Sequence, residues 1–182
     1  MINQEGIALV EQEVQQTKIT FSLDQATSTT GWAVFENNRL IDYGTYHAVG
    51  QTQERIDCMR NWFVQKLNEL TLNPNIELRV VLEDIQVQRN DVKTFKTLAH
   101  LQGVLINIAF RELKNINYNL NIYYSSEWKS TCKIKGKDRI TQKKNAQQFV
   151  LDNFNIKAPE DACDAICIGF HDIKQTDVLN FE

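Results

Sequence analysis

Residues that interrupt regular structure are scarce: two prolines and seven glycines in 182 residues. That scarcity excludes a low-complexity chain and leaves no room for a long flexible linker. No stretch approaches the ~20 apolar residues that span a bilayer. The first seventeen residues carry acidic and amide side chains and only a short apolar run, Ile7–Val10. They lack the basic start and long apolar middle of a secretion signal, so the expected location is the cytoplasm. The four cysteines, Cys58, Cys132, Cys163 and Cys167, are too few and too scattered for a disulfide framework and read as free thiols. A net positive charge is also missing: the formal balance is −3.

What is present is an uneven distribution of charge. Between Lys129 and Lys144 lie seven basic residues (Lys129, Lys133, Lys135, Lys137, Arg139, Lys143 and Lys144) and one acid, Asp138. That segment carries +6 and the rest of the chain −9. A basic stripe on an acidic body is a candidate phosphate footprint. A solvated loop and helix face would carry the same residues, and on charge alone the two readings weigh equally.

Periodicity divides residues 18–182 into one domain behind an extension, 1–17. Lys18–Asp24, Gly31–Glu36 and Arg39–Tyr46 read as three antiparallel strands, joined by a polar turn at Gln25–Thr30 and a hairpin at Glu36–Asn38. Thr52–Leu72 has helical spacing, with Ile56, Met59, Phe63, Leu67 and Leu70 on one face. Pro74 closes it. Glu77–Glu83 is a strongly apolar strand, Asp91–Leu113 a long helix and Asn119–Ser125 a fifth strand. A short helix begins near Ser126, a basic loop surrounds Gly136, and helices follow over Ile140–Asn153 and Glu160–Ile173. Three antiparallel strands followed by αβ units predict a five-stranded mixed sheet with helices on both faces, the ribonuclease H-like order.

Four acids fall where this fold does chemistry. Asp24 ends the first strand and Glu83 the fourth, and sites of open sheets form at such strand ends. Asp161 and Asp164 lie three apart at the start of the last helix and share one face. Taken singly, each has a blander explanation: a turn initiator, an exposed strand end, a helix cap. Together they form a set of carboxylates that repel one another unless a cation intervenes. Mg²⁺ or Mn²⁺, which take oxygen ligands and keep positions for water and phosphate, suit such a set. Two ions about 4 Å apart would activate a water and stabilise the leaving oxygen of a phosphodiester.

These residues carry a resemblance. Phe21–Tyr46, FSLDQATSTTGWAVFENNRLIDYGTY, resembles the opening of RuvC-type Holliday junction resolvases. Val81–Ile85 is similar to that family's second acidic motif and Phe95–Phe110 to its long helix. Tyr123–Lys129 resembles its lysine-bearing segment and Glu160–His171 its final pair of acids on an Ala-rich helix. The likeness runs from Lys18 to Asp172. It implies a homodimer with two sites facing a four-way or otherwise branched DNA, with Asp24, Glu83, Asp161 and Asp164 as Mg²⁺ ligands. It also implies Lys129 and Lys143 against the phosphate near the cut, with Lys143 in the catalytic set, and symmetric nicks that leave 5′-phosphate and 3′-hydroxyl ends. No nucleotide cofactor is implied. Two departures stand out: Gln86, followed by Val87 and Gln88, where the family often has an aromatic wedge, and Asp-Gln-Ala where many members have Asp-Pro-Gly. These, the acidic balance and the extension point to a version of the kind bacteriophages carry, working in a bacterial or phage-infected cell.

Other features take structural explanations. Cys163, Cys167 and His171 recur every four residues on one helix, but three ligands on a straight helix rarely converge on one zinc ion, and packing is the expectation. Trp128, beside Lys129, is expected in the core rather than on DNA. The Leu98–Phe110 stretch is more apolar than a one-sided helix requires, as a buried helix or a dimer interface would be. Three alternatives remain: an RNA-processing nuclease on the same scaffold, a non-catalytic binder of branched DNA, and an actin-like nucleotide-binding protein. The last needs about twice this length, and the binder does not need all four acids.

Overall fold

A computed structural model describes residues 16–86 and 91–179. Most of the N-terminal extension, and Val87 and Gln88 at the expected wedge, lie outside the described residues. The elements are β1 (Thr17–Asp24), β2 (Thr29–Glu36), β3 (Arg39–His47), α1 (Thr52–Leu70), β4 (Ile76–Glu83), α2 (Val92–Glu112), β5 (Asn117–Tyr123), α3 (Ser125–Thr131), α4 (Arg139–Phe154) and α5 (Glu160–Leu179). They match the expected order to within a few residues at each boundary, except that α5 runs six residues past Ile173. Its polar final turns show no apolar period to follow, but Thr176 there is tied to Arg79 and to the Asp172 carbonyl.

The sheet has the order β3-β2-β1-β4-β5. β1 pairs antiparallel with β2 and parallel with β4, β2 pairs antiparallel with β3, and β4 pairs parallel with β5. This is a ribonuclease H-like α/β fold. Alternation sorts the two faces. Ile19, Phe21 and Leu23 of β1 and Leu78, Val80 and Leu82 of β4 pack with Ile56, Met59, Phe63 and Leu67 of α1 and Leu101 and Leu105 of α2. On the opposite face Ala33, Phe35 and Val81 meet Trp128, Val150, Ile166 and Cys167 from α3, α4 and α5.

Two glycines let α5 lie close to the sheet. A Cβ on Gly169 would fall 2.5 Å from the Phe35 ring and 2.6 Å from the Ser22 hydroxyl. A Cβ on Gly31 would fall 1.8 Å from the Asp161 carbonyl oxygen. The Thr30-Gly31 pair thus has two tasks. The Thr30 hydroxyl donates to the Ala26 carbonyl at 2.8 Å and accepts from the Ala26 N–H at 3.1 Å, closing the turn after Asp24. Gly31 then admits the first turn of α5 against β2. Among the described residues no helix is long and apolar enough to cross a membrane.

Candidate active site

Backbone pairing brings the first two acids together. Leu23 pairs with Leu82 across the parallel β1–β4 ladder, so Asp24 and Glu83, each one residue further, leave the sheet side by side. Asp24 also pairs with Gly31 across β1–β2, and Gly31 is where the Asp161 backbone touches the sheet. One end of the sheet therefore gathers acids from β1, β4 and α5.

The electrostatics report the same convergence. Burial first, then the negative charges of Asp164, Glu83 and Asp161, hold the Asp24 carboxyl well above the usual carboxylate range, while Lys143 pulls it down. Burial raises Asp164 to about 6, with Lys143 opposing and Glu83 adding to the rise. Glu83 is raised by burial, against a lowering by the Trp128 hydrogen bond and by the Lys129 and Arg139 charges. Carboxylates that destabilise each other's ionised form in this way are held together by the fold against their own repulsion.

Lys143 enters the cluster from α4. Its Nζ lies 2.5 Å from Glu160, 2.9 Å from Asp161 and 3.7 Å from Asp164. Burial pulls this ammonium down, and the bonds to Glu160 and Asp161 more than offset that, so it stays firmly charged. Asp24, Glu83, Asp161 and Asp164 are hard oxygen donors at the mouth of a partly desolvated site, the donor chemistry that Mg²⁺ or Mn²⁺ takes. Among the described residues no three His, Cys, Asp or Glu side chains stand close enough together to hold one ion as they are placed. The donor set fits a divalent ion in kind.

Glu83 is anchored from three sides by residues that the sequence did not single out for this task. Trp128 Nε1 donates to its Oε2 at 2.8 Å. The Gln25 amide extends the ladder beyond β1: its Nε2 donates to the Glu83 carbonyl at 2.5 Å, and its Oε1 accepts from the Glu83 N–H at 3.3 Å. Gln102 of α2 donates to the same carbonyl at 3.0 Å. Glu160, the acid nearest Lys143, was legible only as a favourable charge in the first turn of a helix. Gln25 stood out in the sequence only as a departure from Asp-Pro-Gly, a departure that supplies the side chain for the clamp.

The basic segment divides into two groups. Lys143 sits among the acids, and Lys129 and Arg139 lie near enough to Glu83 to lower its pKa. Lys133, Lys135, Lys137 and Lys144 are exposed along the α3–α4 loop and the first turns of α4. That loop is held in place: Ile134 is buried, Gln142 donates to the Gly136 carbonyl at 3.0 Å, and Asn145 to that of Lys135 at 2.5 Å. Asp138, the one acid of the segment, caps α4 by accepting from the Thr141 N–H at 2.8 Å. Trp128 is buried, and the Lys129 ammonium lies 5.1 Å from its ring centroid.

The helical Cys and His residues pack as expected. Cys163 and Cys167 are buried, and His171 Nδ1 shares a 2.7 Å hydrogen bond with the Thr131 hydroxyl. Gln86, at the position of the family's wedge, is exposed.

No protein-family model matches the chain, and no curated protein sequence matches it. Solved structures do. A Thermus thermophilus RuvC in complex with a Holliday junction substrate aligns at 13% identity over 88% of this chain and 96% of that one, with a TM-score of 0.68. A second Thermus thermophilus RuvC structure aligns at 14% identity over the same shares, with a TM-score of 0.67. The yeast mitochondrial Holliday junction resolvase aligns at 12% identity over 89% of this chain and 82% of that one, with a TM-score of 0.58. Across nearly its whole length, the chain has the fold of the RuvC-type Holliday junction resolvases.

Proposed function

We propose that this chain is a metal-dependent endonuclease that nicks four-way or other branched DNA, acting as a homodimer. The observation that carries the reading is the cluster itself. Asp24, Glu83, Asp161 and Asp164 converge, with the carboxyls of Asp24 and Asp164 raised by burial and by their acidic neighbours, at one sheet end of a RuvC-like fold beside a loop of exposed lysines. A non-catalytic DNA binder has no use for four carboxylates held together at a cost to stability, since they would repel the phosphates it binds.

When bound, two Mg²⁺ or Mn²⁺ ions would supply an activated nucleophile and stabilise the charge on the phosphodiester. The rest falls to the chain. Trp128, Gln25 and Gln102 fix Glu83, so one ligand oxygen is oriented before any substrate arrives. Lys129 and Arg139 bring positive charge to the rim beside Glu83, where a scissile phosphate would lie. Lys133, Lys135, Lys137 and Lys144 supply sequence-independent, salt-sensitive grip on the flanking backbone. Hydrolysis forms a new bond from a water oxygen to phosphorus and breaks the bond to the 3′-oxygen. That oxygen takes up a proton and leaves as a hydroxyl, with the phosphate kept on the 5′ end.

A second copy completes the reading, because a two-fold junction needs two sites that cut opposite strands. The groove between α1 and α2, about 720 Å³ and lined in part by Arg60, Val64, Gly103, Val104 and Arg111, is the face proposed to receive it. A Cβ on Gly103 would meet nothing within 4 Å there, and Phe110 nearby is 68% exposed.

The test is cleavage of labelled four-way junction, fork, linear duplex and RNA, with and without Mg²⁺. Paired symmetric nicks on the junction, dependent on metal, are expected. Metal-dependent cleavage of RNA in preference to every DNA would move the assignment to an RNA-processing nuclease, and cleavage of none would overturn it.

A further inference from the structure

We infer that the Lys143 ammonium is an exchangeable cation of the carboxylate site: it holds the acids together in the metal-free protein, competes with the divalent ion for the same oxygens, and is released towards the substrate phosphate when the metal binds. The inference rests on the metal-site reading above and adds to it an order of events and a role for one residue.

The geometry supports each part. The Lys143 side chain is 12% exposed, and its Nζ reaches three acids of α5 at 2.5, 2.9 and 3.7 Å. This is far from the arrangement of a solvated surface lysine, which keeps its head in water. Two of the three acids, Asp161 and Asp164, belong to the proposed ligand set. A divalent ion must take the oxygens that now face the ammonium, and the two cations cannot share them at contact distance. Lys143 is also outnumbered: with Lys129 and Arg139 near Glu83, three basic groups face five acids (Asp24, Glu83, Glu160, Asp161 and Asp164). The cluster is underneutralised, which favours exchange of a singly charged cation for a doubly charged one.

The Lys143 ammonium bonds to Glu160 as well as to Asp161, so its contacts extend beyond the proposed ligand set. The freed ammonium stays tethered to the second turn of α4, the helix whose first residue, Arg139, already lies near Glu83. It is then a mobile charge at the rim, where a phosphate is the anion available to it. Metal loading and capture of the DNA backbone are thereby coupled through one side chain.

Calorimetric titration of the full chain with Mn²⁺ tests this, using wild type, Lys143→Met, Lys143→Arg and Asp24→Asn. Removing the competing cation should tighten Mn²⁺ binding by Lys143→Met roughly tenfold relative to wild type. Lys143→Arg, which keeps a cation, should stay near wild type, and Asp24→Asn should bind far more weakly. If wild type binds Mn²⁺ in an Asp24-dependent way and Lys143→Met binds equally or less tightly, the exchange is wrong and the metal site stands. If neither wild type nor Lys143→Met binds Mn²⁺, both fall. Should Lys143→Met fail to fold, lysine Nζ resonances of the wild type, assigned with Lys143→Arg, decide the matter. The Lys143 signal should move as Mg²⁺ is added, and a signal that stays put while Mg²⁺ binds overturns the proposal.

Discussion

The α5 helix carries two acid–base arrangements, and they are built on opposite plans. Towards its C-terminal half, Asp172 is completely buried and meets Arg79, itself 5% exposed, in an ion pair of 3.4 Å. Asn121 donates to the same carboxylate at 2.6 Å and Tyr123 at 3.1 Å. One anion is matched there by one cation and two neutral donors, with Asp172 Oδ2 and Arg79 Nε meeting as an ion pair and making no hydrogen bond. Two to three turns earlier, Asp161 and Asp164 gather with two further strand-end acids and a single contacting lysine, at one end of the sheet where burial raises Asp24, Glu83 and Asp164. Balance marks a group that secures the helix to the sheet, whereas an excess of one sign, held in place by the fold, marks a candidate site for a cation.

The sharpest way to break the comparison is to unbalance the balanced pair. Arg79→Ala leaves Asp172 buried without its cation and should cost about 3–5 kcal/mol of stability by denaturant unfolding. Mn²⁺ affinity should stay within about twofold, since distant sites act independently. A large loss of metal affinity at modest cost in stability would mean that the two arrangements are one network.

Acid should relax the unbalanced cluster. The folded state keeps the Asp164 proton up to about pH 6, while the unfolded chain releases it near its ordinary value of 3.8. Folding therefore takes up a proton across that window, and this group's contribution to stability falls as pH rises through it. Relative to Asp164→Asn, the wild type should lose on the order of 2 kcal/mol between pH 4 and 6, and saturating Mg²⁺ should reverse the trend at the upper end. Parallel pH curves for the two proteins would show that Asp164 is not strained by its site.

The clamp on Glu83 offers a smaller effect. Gln25→Ala removes two hydrogen bonds and should cost about 1–2 kcal/mol, with weaker Mn²⁺ binding as Glu83 loses its fixed position. A similar stability loss with unchanged Mn²⁺ affinity would reduce Gln25 to a structural tie. The exposed lysines matter least one at a time. Replacing Lys133, Lys135, Lys137 and Lys144 together by Ala should flatten the salt dependence of DNA binding, by a slope of roughly one per lost phosphate contact. An unchanged slope would place the DNA elsewhere.

The sequence made legible what rests on periodicity and on acids at element ends: the strand and helix order, and the four carboxylates that the structure brings together. It left hidden what depends on contacts between distant segments. Gln25 and Glu83 are 58 residues apart, and an amide that extends a ladder has no local pattern. Trp128 was legible as a core residue, and its packing holds, but its N–H on Glu83 depends on where α3 lands. Lys143 stood out only through the family resemblance and as one basic residue among seven. Its place among Glu160, Asp161 and Asp164 follows from the packing of α4 on α5, which no local spacing encodes. The Arg79–Asp172 pair escaped notice because an Arg inside an apolar strand and an Asp inside a helix each look like a surface residue until the partner is known.

The most direct test of the central claim is cleavage of a labelled four-way junction in Mg²⁺ by wild type and by Asp24→Asn. Wild type should introduce paired nicks. The variant, freed of a desolvated carboxyl and at least as stable, should be slower by about 10²-fold or more. A stable, folded Asp24→Asn protein that nicks the junction as fast as wild type would show that the gathered carboxylates are not where the chemistry happens.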